Sequence, residues 1–598
     1  MIEYVTIPAP DVVLTRAEVL KLAAALKQSP PVGLRPVKLA VLATFTADML
    51  QPYIIVETAR RGMALSWWAG PYGQVEQQVV DPGSALYAAP ADAVLLLLRM
   101  ADVAAQADGR FLSLGNEGAA QERERLKQWL AQQLHALRAQ SGAAVLVSNF
   151  APPEFVAAGL ADAAQEHSQA AWVQSVNSAV AEVCAAVPRC YVLDIARAAV
   201  ETGLTRWRDD RLAYVAKAPL GGDALAAVAR LTARTLRAVS TTPKKCLVLD
   251  MDNTLWGGVI GEAGMEGIAL GPDYPGNVFV DFQRRILSLR DRGILLAVAS
   301  KNNSAEVEAV LAGHPSCVLK RGDFAAWEVN WEDKATGLRR IAQMLNIGLD
   351  ALVFADDNPV ERAWVRGQLP EVTVLELPSS PMGYWKTLEE SGCFDALTLT
   401  TEDRQRAGMY AEEAQRQEFQ SAAGSPGDFL RSLELVLTVG LVDESTLPRV
   451  AQLLGKTNQF NLTTRRHDEA TIRTMCAEGA GLWLRARDRF GDAGLVGVVL
   501  AVPEGDAWKI DTLLMSCRVI GRRVETAMLA LLERIASARG VHRLFGEFIA
   551  TGKNQPAASF LPDHGFTPDG GRWQLQFDAP RAMPDCFTIE NLTGLPIP

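Results

Sequence analysis

The chain has no Cys-x-x-Cys pair. Its eight cysteines stand singly along 598 residues, which excludes a zinc ribbon or a dense disulfide framework and predicts reduced thiols. Long apolar runs are also missing. The longest uninterrupted stretches, such as Ala93 to Leu98, fall far short of the ~20 residues of a membrane-spanning helix, so no membrane partner is expected. The opening M-I-E-Y-V-T-I-P-A-P has neither a basic leader nor an apolar core, which argues against export and for a cytoplasmic protein. There is no basic excess either. Lys and Arg number 59 against 69 Asp and Glu, a formal charge of −10, which disfavours nucleic acid as a general partner and requires a local basic patch wherever an acidic protein is to dock. The remainder, 49% hydrophobic and 21% charged residues, is ordinary globular composition, long enough for three or four domains of ~150 residues.

The most informative stretch is K-K-C-L-V-L-D-M-D-N-T-L-W-G-G-V, Lys244 to Val259. An apolar run, Cys246 to Leu249, is too short for a helix and reads as a buried parallel strand whose carboxyl end presents Asp250 and Asp252. One carboxylate of such a pair can attack phosphorus while the other handles the leaving-group proton, and both are close enough to share Mg²⁺ with a substrate phosphate. The pattern continues downstream. A helical stretch, Phe279 to Arg292, leads to a second apolar strand, Ile294 to Ala299, ending in Ser300, Lys301, Asn302 and Asn303, where a hydroxyl and amides can grip a phosphoryl group. Lys334 opens an amphipathic helix and brings a point charge. A third strand, Ala351 to Ala355, ends in Asp356, Asp357, Asn358 and Pro359. Strand ends that deliver carboxylates, a hydroxyl and further carboxylates, with helices between, predict a parallel doubly wound α/β domain.

These residues resemble the FkbH-like branch of the haloacid dehalogenase-like superfamily. V-L-D-M-D-N-T-L-W-G-G-V-I-G, A-S-K-N-N, F-A-A-W-E-V-N-W-E-D-K and V-F-A-D-D-N-P-V-E-R are similar to that branch's signatures. The resemblance implies Asp250 as nucleophile, Asp252 as general acid/base, Thr254 and Ser300 as holders of the phosphoryl oxygens and Lys334 as charge stabiliser. It implies a Mg²⁺ site of Asp250, Asp252, Asp356 and Asp357, with Lys301, Asn302 and Asn358 toward the substrate. It further implies an activity: taking the glyceryl unit of 1,3-bisphosphoglycerate, removing its remaining phosphate and loading it on the phosphopantetheine arm of an acyl carrier protein for polyketide biosynthesis. One position departs from the pattern. Ala299 stands where relatives carry cysteine, so a covalent glyceryl carrier at that position is not expected. Cys246 reads as a small core residue; Cys517 and Cys317 are the remaining candidate thiols, Cys517 ranking first.

Residues 1–239 alternate strand-like runs (Lys38 to Thr44, Ala91 to Leu98, Ala143 to Ser148, Tyr191 to Ile195) with Ala-rich helices such as Glu124 to Gln140. The region resembles the SGNH-hydrolase-like domain that precedes the phosphatase domain in FkbH-like proteins. Its hydrolytic residues are missing: the first strand runs into A-T-F-T-A-D and the terminal region D-D-R-L-A-Y-V-A-K-A-P-L has no histidine, so Thr44, Asn149 and Asp209 are expected to be structural or binding residues. After the phosphoryl-transfer domain at 240–400, residues 401–427 read as a helical linker, and 428–598 resemble the GNAT acyltransferase fold, with strands at V-G-V-V-L-A-V, I-D-T-L-L-M-S-C and H-R-L-F-G-E-F and a final helix in N-Q-P-A-A-S-F-L-P-D-H-G-F. The pyrophosphate loop of that fold becomes Arg518-Val519-Ile520-Gly521-Arg522-Arg523, with arginine where a small residue is usual. Arg518, Arg522 and Arg523, joined by Arg465 and Arg466, are the expected carrier-binding set, a solvated basic turn being the equal alternative. Two other functions stay open: a phosphatase of another small metabolite, and a non-catalytic docking subunit of a biosynthetic complex.

Overall fold

The structure, a computed structural model, describes residues 6–10, 12–399, 426–592 and 594. The chain divides into two compact units, Met1–Pro243 with Lys386–Thr398, and Lys244–Trp385 with Leu399–Pro598.

The first unit is built on a parallel sheet of β1 (Arg35–Ala43), β2 (Met63–Ala69), β3 (Ala93–Leu97), β4 (Ala144–Ser148) and β5 (Cys190–Leu193), in the order β2-β1-β3-β4-β5. Every residue of β3 and β4 is buried, as continuous apolar runs must be when helices cover both faces of a parallel sheet. The alternation of side chains divides β3 between two cores. Val94 and Leu96 pack with Leu130, Leu134 and Val180 from the helices Phe111–Gln140 and Gln169–Ala186. Leu95 and Leu97 pack with Ile54 and Val228 from Gln51–Ala59 and Gly222–Ser240. Four of these strands match expectation within a few residues. β2 was not expected, and the helix read from Glu124 begins at Phe111. Residues 386–398 join this unit through a bidentate Arg234–Asp395 pair (2.8 and 2.8 Å) and a bond from Arg237 Nη1 to the Ser391 carbonyl (2.6 Å).

The second unit opens with another five-stranded parallel sheet. Its strands are β6 (Cys246–Leu249), β7 (Leu295–Ser300), β8 (Phe324–Val329), β9 (Leu352–Ala355) and β10 (Thr373–Val374), in the order β10-β9-β6-β7-β8. β6 lies between β7 and β9, with all four of its residues fully buried. Strand order reverses at β6, so the crevice beyond its carboxyl end is where a ligand is expected in an open α/β sheet.

The same unit carries a nine-stranded mixed sheet, β11 (Leu435–Leu441), β12 (Phe460–Asn461), β13 (Ala480–Asp488), β14 (Gly491–Glu504), β15 (Ala507–Met515), β16 (Arg543–Gly546), β17 (Thr567–Asp569), β18 (Arg572–Gln576) and β19 (Phe587–Asn591). β15 and β16 run parallel but pair only over Trp508 to Ile510, and β12 takes the far end of β15 instead. The apolar helix Val524–Ala538 supplies much of this core. The expected final helix is a correction: N-Q-P-A-A-S-F-L-P-D-H-G-F forms only the short turns Gln555–Ala557 and Phe560–Asp563. Pro556 and Pro562 offer no backbone N–H to continue a helix. The linker expected at 401–427 lies outside the described residues, save Pro426 and Gly427, which open the helix Pro426–Ser432.

Candidate active site

The strand ends of the second unit bring their chemistry together. Asp250 follows β6, and its amide donates to the Ala355 carbonyl of β9 (3.0 Å), so Asp250 and Asp356 leave adjacent strands side by side. Lys334 reaches in from the first turn of the helix Lys334–Met344, capped by Asp333, whose carboxylate accepts from the Thr336 amide (3.1 Å) and hydroxyl (2.6 Å). These bonds from Thr336 hold the Asp333 carboxyl down at about 2. The Lys334 ammonium bridges Asp250 Oδ1 (2.7 Å) and Asp356 Oδ2 (2.5 Å), and all three residues are buried. A buried charge is tolerated only when paired in this way. Burial pulls the Lys334 pKa down, but the two carboxylates outweigh it and hold the ammonium above the ordinary lysine value.

Oxygens of Asp250, Asp356 and Asp357 lie within 4.8 Å of one another. Burial first, then the charges of Asp250 and Asp356, push the Asp357 carboxyl up to about 6; burial and Asp250 likewise raise Asp356. Three crowded, partly desolvated carboxylates have the hard-oxygen chemistry of a Mg²⁺ site. Asp252, expected among the metal ligands, is not in this trio. The backbone turns at Asn253 (φ +55°), and the Asp252 carboxylate instead accepts from Trp256 Nε1 (2.8 Å), the Ile260 amide (3.1 Å) and Asn302 Nδ2 (3.0 Å). Two oxygens held by three donors make a fixed side chain, suited to proton transfer at one place.

Thr254 is fully buried, and its Oγ1 has no hydrogen-bond partner. A buried hydroxyl without a partner costs free energy until something accepts from it, as a phosphoryl oxygen does. Ser300 closes β7, buried, and accepts from Asn302 Nδ2 (3.2 Å). The residues expected on the substrate do other work. Lys301 is paired with Glu361 (2.6 Å), the Asn302 amide holds Asp252 and Ser300, and the Asn358 side chain caps the helix Pro359–Gln368 by accepting from the Val360 amide (2.9 Å). Each of those side chains satisfies the protein's own groups and so positions its neighbours.

Arg362 was missed. It is buried one turn into the helix Pro359–Gln368, and its Nη1 donates to the carbonyls of Asp356 (2.8 Å) and Asp357 (2.7 Å), fixing the backbone that aims both carboxylates. The signal was present in D-D-N-P-V-E-R: with Asn358 as cap and Pro359 at the first position, Arg362 stands within reach of the residues before the cap.

The candidate thiols are elsewhere. Cys246 is buried at the start of β6, and burial pushes its thiol far up. Cys317 is buried with its Sγ on the Leu319 carbonyl (3.2 Å), its pKa also raised by burial. The Cys517 carbonyl accepts from Asn346 Nδ2 (2.9 Å). Asn346 follows the helix that Lys334 opens, so that contact lies roughly 17 Å from Lys334 at ~1.5 Å per residue. Four of the five expected carrier-binding arginines make contacts within the protein. Arg465 pairs with Asp511 (3.0 Å) and Glu547 (2.5 Å), and Arg522 is buried against Asp488 (3.4 Å). Arg466 donates to Asn458 Oδ1, and Arg518 to Ser516 Oγ (3.2 Å). Gly521 (φ +80°) and Arg523 (φ +62°) are both exposed, and Arg523 precedes the helix Val524–Ala538.

In the first unit the residues Thr44, Asn149 and Asp209 form no triad. Thr44 Oγ1 accepts from the Arg99 amide (3.0 Å), Asn149 bonds Asp194 (2.7 Å) and the Ala196 amide (2.8 Å), and Asp209 caps a helix by accepting from the Leu212 amide (2.9 Å).

Residues 38–236 match the family model "FkbH, N-terminal domain". The N-terminal part of BF1531 from Bacteroides fragilis, containing a phosphatase domain and crystallised with Mg, is similar over 64% of this chain and 100% of its own, at 30% identity and a TM-score of 0.54. The ribosomal-protein-S18-alanine N-acetyltransferase from Escherichia coli is similar over 23% of this chain and 89% of its own, at 16% identity and a TM-score of 0.17, too slight a likeness to bear on function. No curated protein matches the chain. With an N-terminal FkbH domain and 30% identity along the whole of a solved phosphatase-bearing relative, the chain belongs to the FkbH-like branch of the haloacid dehalogenase-like superfamily.

Proposed function

We propose that this protein is a Mg²⁺-dependent phosphoryl-transfer enzyme that dephosphorylates the glyceryl unit of 1,3-bisphosphoglycerate and passes it to the pantetheine thiol of an acyl carrier protein. One observation carries the reading: Asp250, at a strand end, shares the Lys334 ammonium with Asp356 at 2.7 and 2.5 Å. Asp250, Asp356 and Asp357 would hold Mg²⁺, which would neutralise charge on the phosphoryl oxygens as in phosphoryl transfer generally. A carboxylate oxygen of Asp250 attacks phosphorus, the bond from phosphorus to the glyceryl oxygen breaks, and that oxygen takes its proton from Asp252. Water then hydrolyses the aspartyl phosphate, with Asp252 taking the proton back. Thr254 and Ser300 donate to the non-bridging oxygens, and Lys334 holds the developing charge.

Acyl transfer is the second half. Ala299 offers no thiol, Cys246 and Cys317 are buried, and the Cys517 backbone carbonyl meets Asn346 just past the far end of the Lys334 helix. These positions favour direct attack by the carrier's thiolate on the acyl carbon, with the carbon–oxygen bond to phosphate breaking, a thioester forming and inorganic phosphate leaving. Intact-mass measurement of a carrier protein incubated with this protein, Mg²⁺ and 1,3-bisphosphoglycerate tests the proposal. The carrier is expected to gain one glyceryl group without phosphate. Phosphate release with an unmodified carrier would reduce the activity to that of a metabolite phosphatase, and no release at all would leave a docking subunit.

A further inference from the structure

The first unit holds a cavity of about 180 Å³ that the phosphoryl chemistry does not use. It lies beyond the carboxyl ends of β1, β3 and β4, lined by Phe45, Leu97–Leu98 and Phe150, and strand order in this sheet reverses between β1 and β3. That is the place where open α/β sheets hold ligands. We propose that this cavity is a binding site for a small molecule with an apolar body, the size of a phenyl ring or short alkyl chain, and an uncharged or cationic hydrogen-donating head.

The walls set the body. Phe45, Phe150, Trp172, Trp207 and Leu220 surround the space, and an apolar cavity of roughly 150 Å³ takes a benzene ring. Most polar capacity on the wall is already committed: Ser148 Oγ accepts from the Leu98 amide (2.8 Å) and keeps one O–H to donate, Asn149 is shared between Asp194 and Ala196, and Gln169 Oε1 accepts from the Ala157 amide (2.8 Å). A ligand with many polar groups would lose its water and gain few partners.

The rim sets the head. Four charged residues line it, Arg99, Asp108, Glu154 and Arg208. The arginines bring their own counter-charges, Arg99 held by Asp102 (2.9 and 2.5 Å) and Arg208 by Asp210 (2.7 Å). Among the described residues neither Asp108 nor Glu154 is in an ion pair; Arg99 and Arg208 both act on Asp108, but counting Asp102 and Asp210 the rim has four carboxylates to two guanidiniums. An anionic ligand is disfavoured there, which separates this site from any phosphorylated substrate. No histidine, cysteine or lysine lines the cavity.

Calorimetric titration of the full chain with 2-phenylethylamine, 2-phenylethanol and phenylacetate, probes of equal body and different head, tests this. The amine is expected to bind about tenfold more tightly than the carboxylate, with the alcohol between them. Asp108→Asn with Glu154→Gln, both on the rim, is expected to erase that order while leaving the alcohol's affinity unchanged. Ala151→Phe, on the cavity wall, is expected to abolish binding of all three, with thermal melting confirming that the unit still folds. No binding by any probe, tightest binding by phenylacetate, or an order that survives the double substitution would each overturn the proposal.

Discussion

Two sheets of this molecule share one architecture and differ in the residues just past their strand ends. In β2-β1-β3-β4-β5 and in β10-β9-β6-β7-β8 all neighbours are parallel, and the first strand of each lies where strand order reverses. Past β6 comes Asp250, buried and paired with Lys334; past β1 comes Thr44, whose hydroxyl accepts from a backbone amide. The same scaffold thus carries a reaction centre in one case and a saturated wall around an aromatic cavity in the other. Fold placed the crevice; the residues one step beyond the strands decided its chemistry.

The largest effect should come from removing the attacking oxygen. Asp250→Asn is nearly isosteric, and Mg²⁺-dependent phosphate release should fall below detection while the far-ultraviolet circular dichroism stays unchanged. An active Asp250→Asn enzyme would remove the chemical half of the comparison. Asp252→Asn should lose about 10²–10⁴-fold in rate, the usual worth of a placed proton donor, measured as steady-state phosphate release. Lys334→Met breaks a buried pair and strands two carboxylates, so denaturant unfolding should report a loss of about 3–5 kcal/mol along with the activity.

A pH series sharpens the contrast further. Asp357 is raised to about 6 by burial and by Asp250 and Asp356, so its protonated form is the one the metal-free fold favours. Its contribution to stability is therefore present below the ordinary carboxylate range and is lost as pH rises through about 6. Mg²⁺ competes with that proton, so its affinity, followed by calorimetry, should weaken as pH falls below about 6. Metal affinity that is flat from pH 5 to pH 7 would show that Asp357 is not a ligand.

Much of this was legible in the sequence, because buried parallel strands are short apolar runs and β3, β4, β6, β7 and β9 are such runs. β2 and β8 were not, since both are edge strands with half-exposed residues and no clean apolar run. Site residues were found where chemistry comes directly after a strand. Direction was not: D-x-D spacing does not reveal that the chain turns at Asn253 and puts the Asp252 carboxylate on Trp256 and Asn302, outside the Asp250, Asp356 and Asp357 cluster. Nor do the arginines of the last region announce their partners. Asp488, Asp511 and Glu547 are tens of residues from the guanidiniums they hold, so two of the five arginines, Arg465 and Arg522, form ion pairs that their local sequence does not show.

The smallest expected effect falls on the silent counterpart of Asp250. Thr44→Val keeps the shape of the side chain and removes the oxygen that accepts from the Arg99 amide at 3.0 Å. Thr44 is half-buried, so that amide regains only part of its hydrogen bonding from water, and unfolding should report a loss of about 1 kcal/mol. Phosphate release should be unchanged, because nothing past β1 supplies a nucleophile, a base or a metal ligand. The two sheets would then divide cleanly, one substitution abolishing turnover at little cost in stability and its counterpart costing stability at no loss of turnover. If Thr44→Val lowered phosphate release as Asp250→Asn does, without lowering stability, the wall past β1 would belong to the reaction and the division between the sheets would fail.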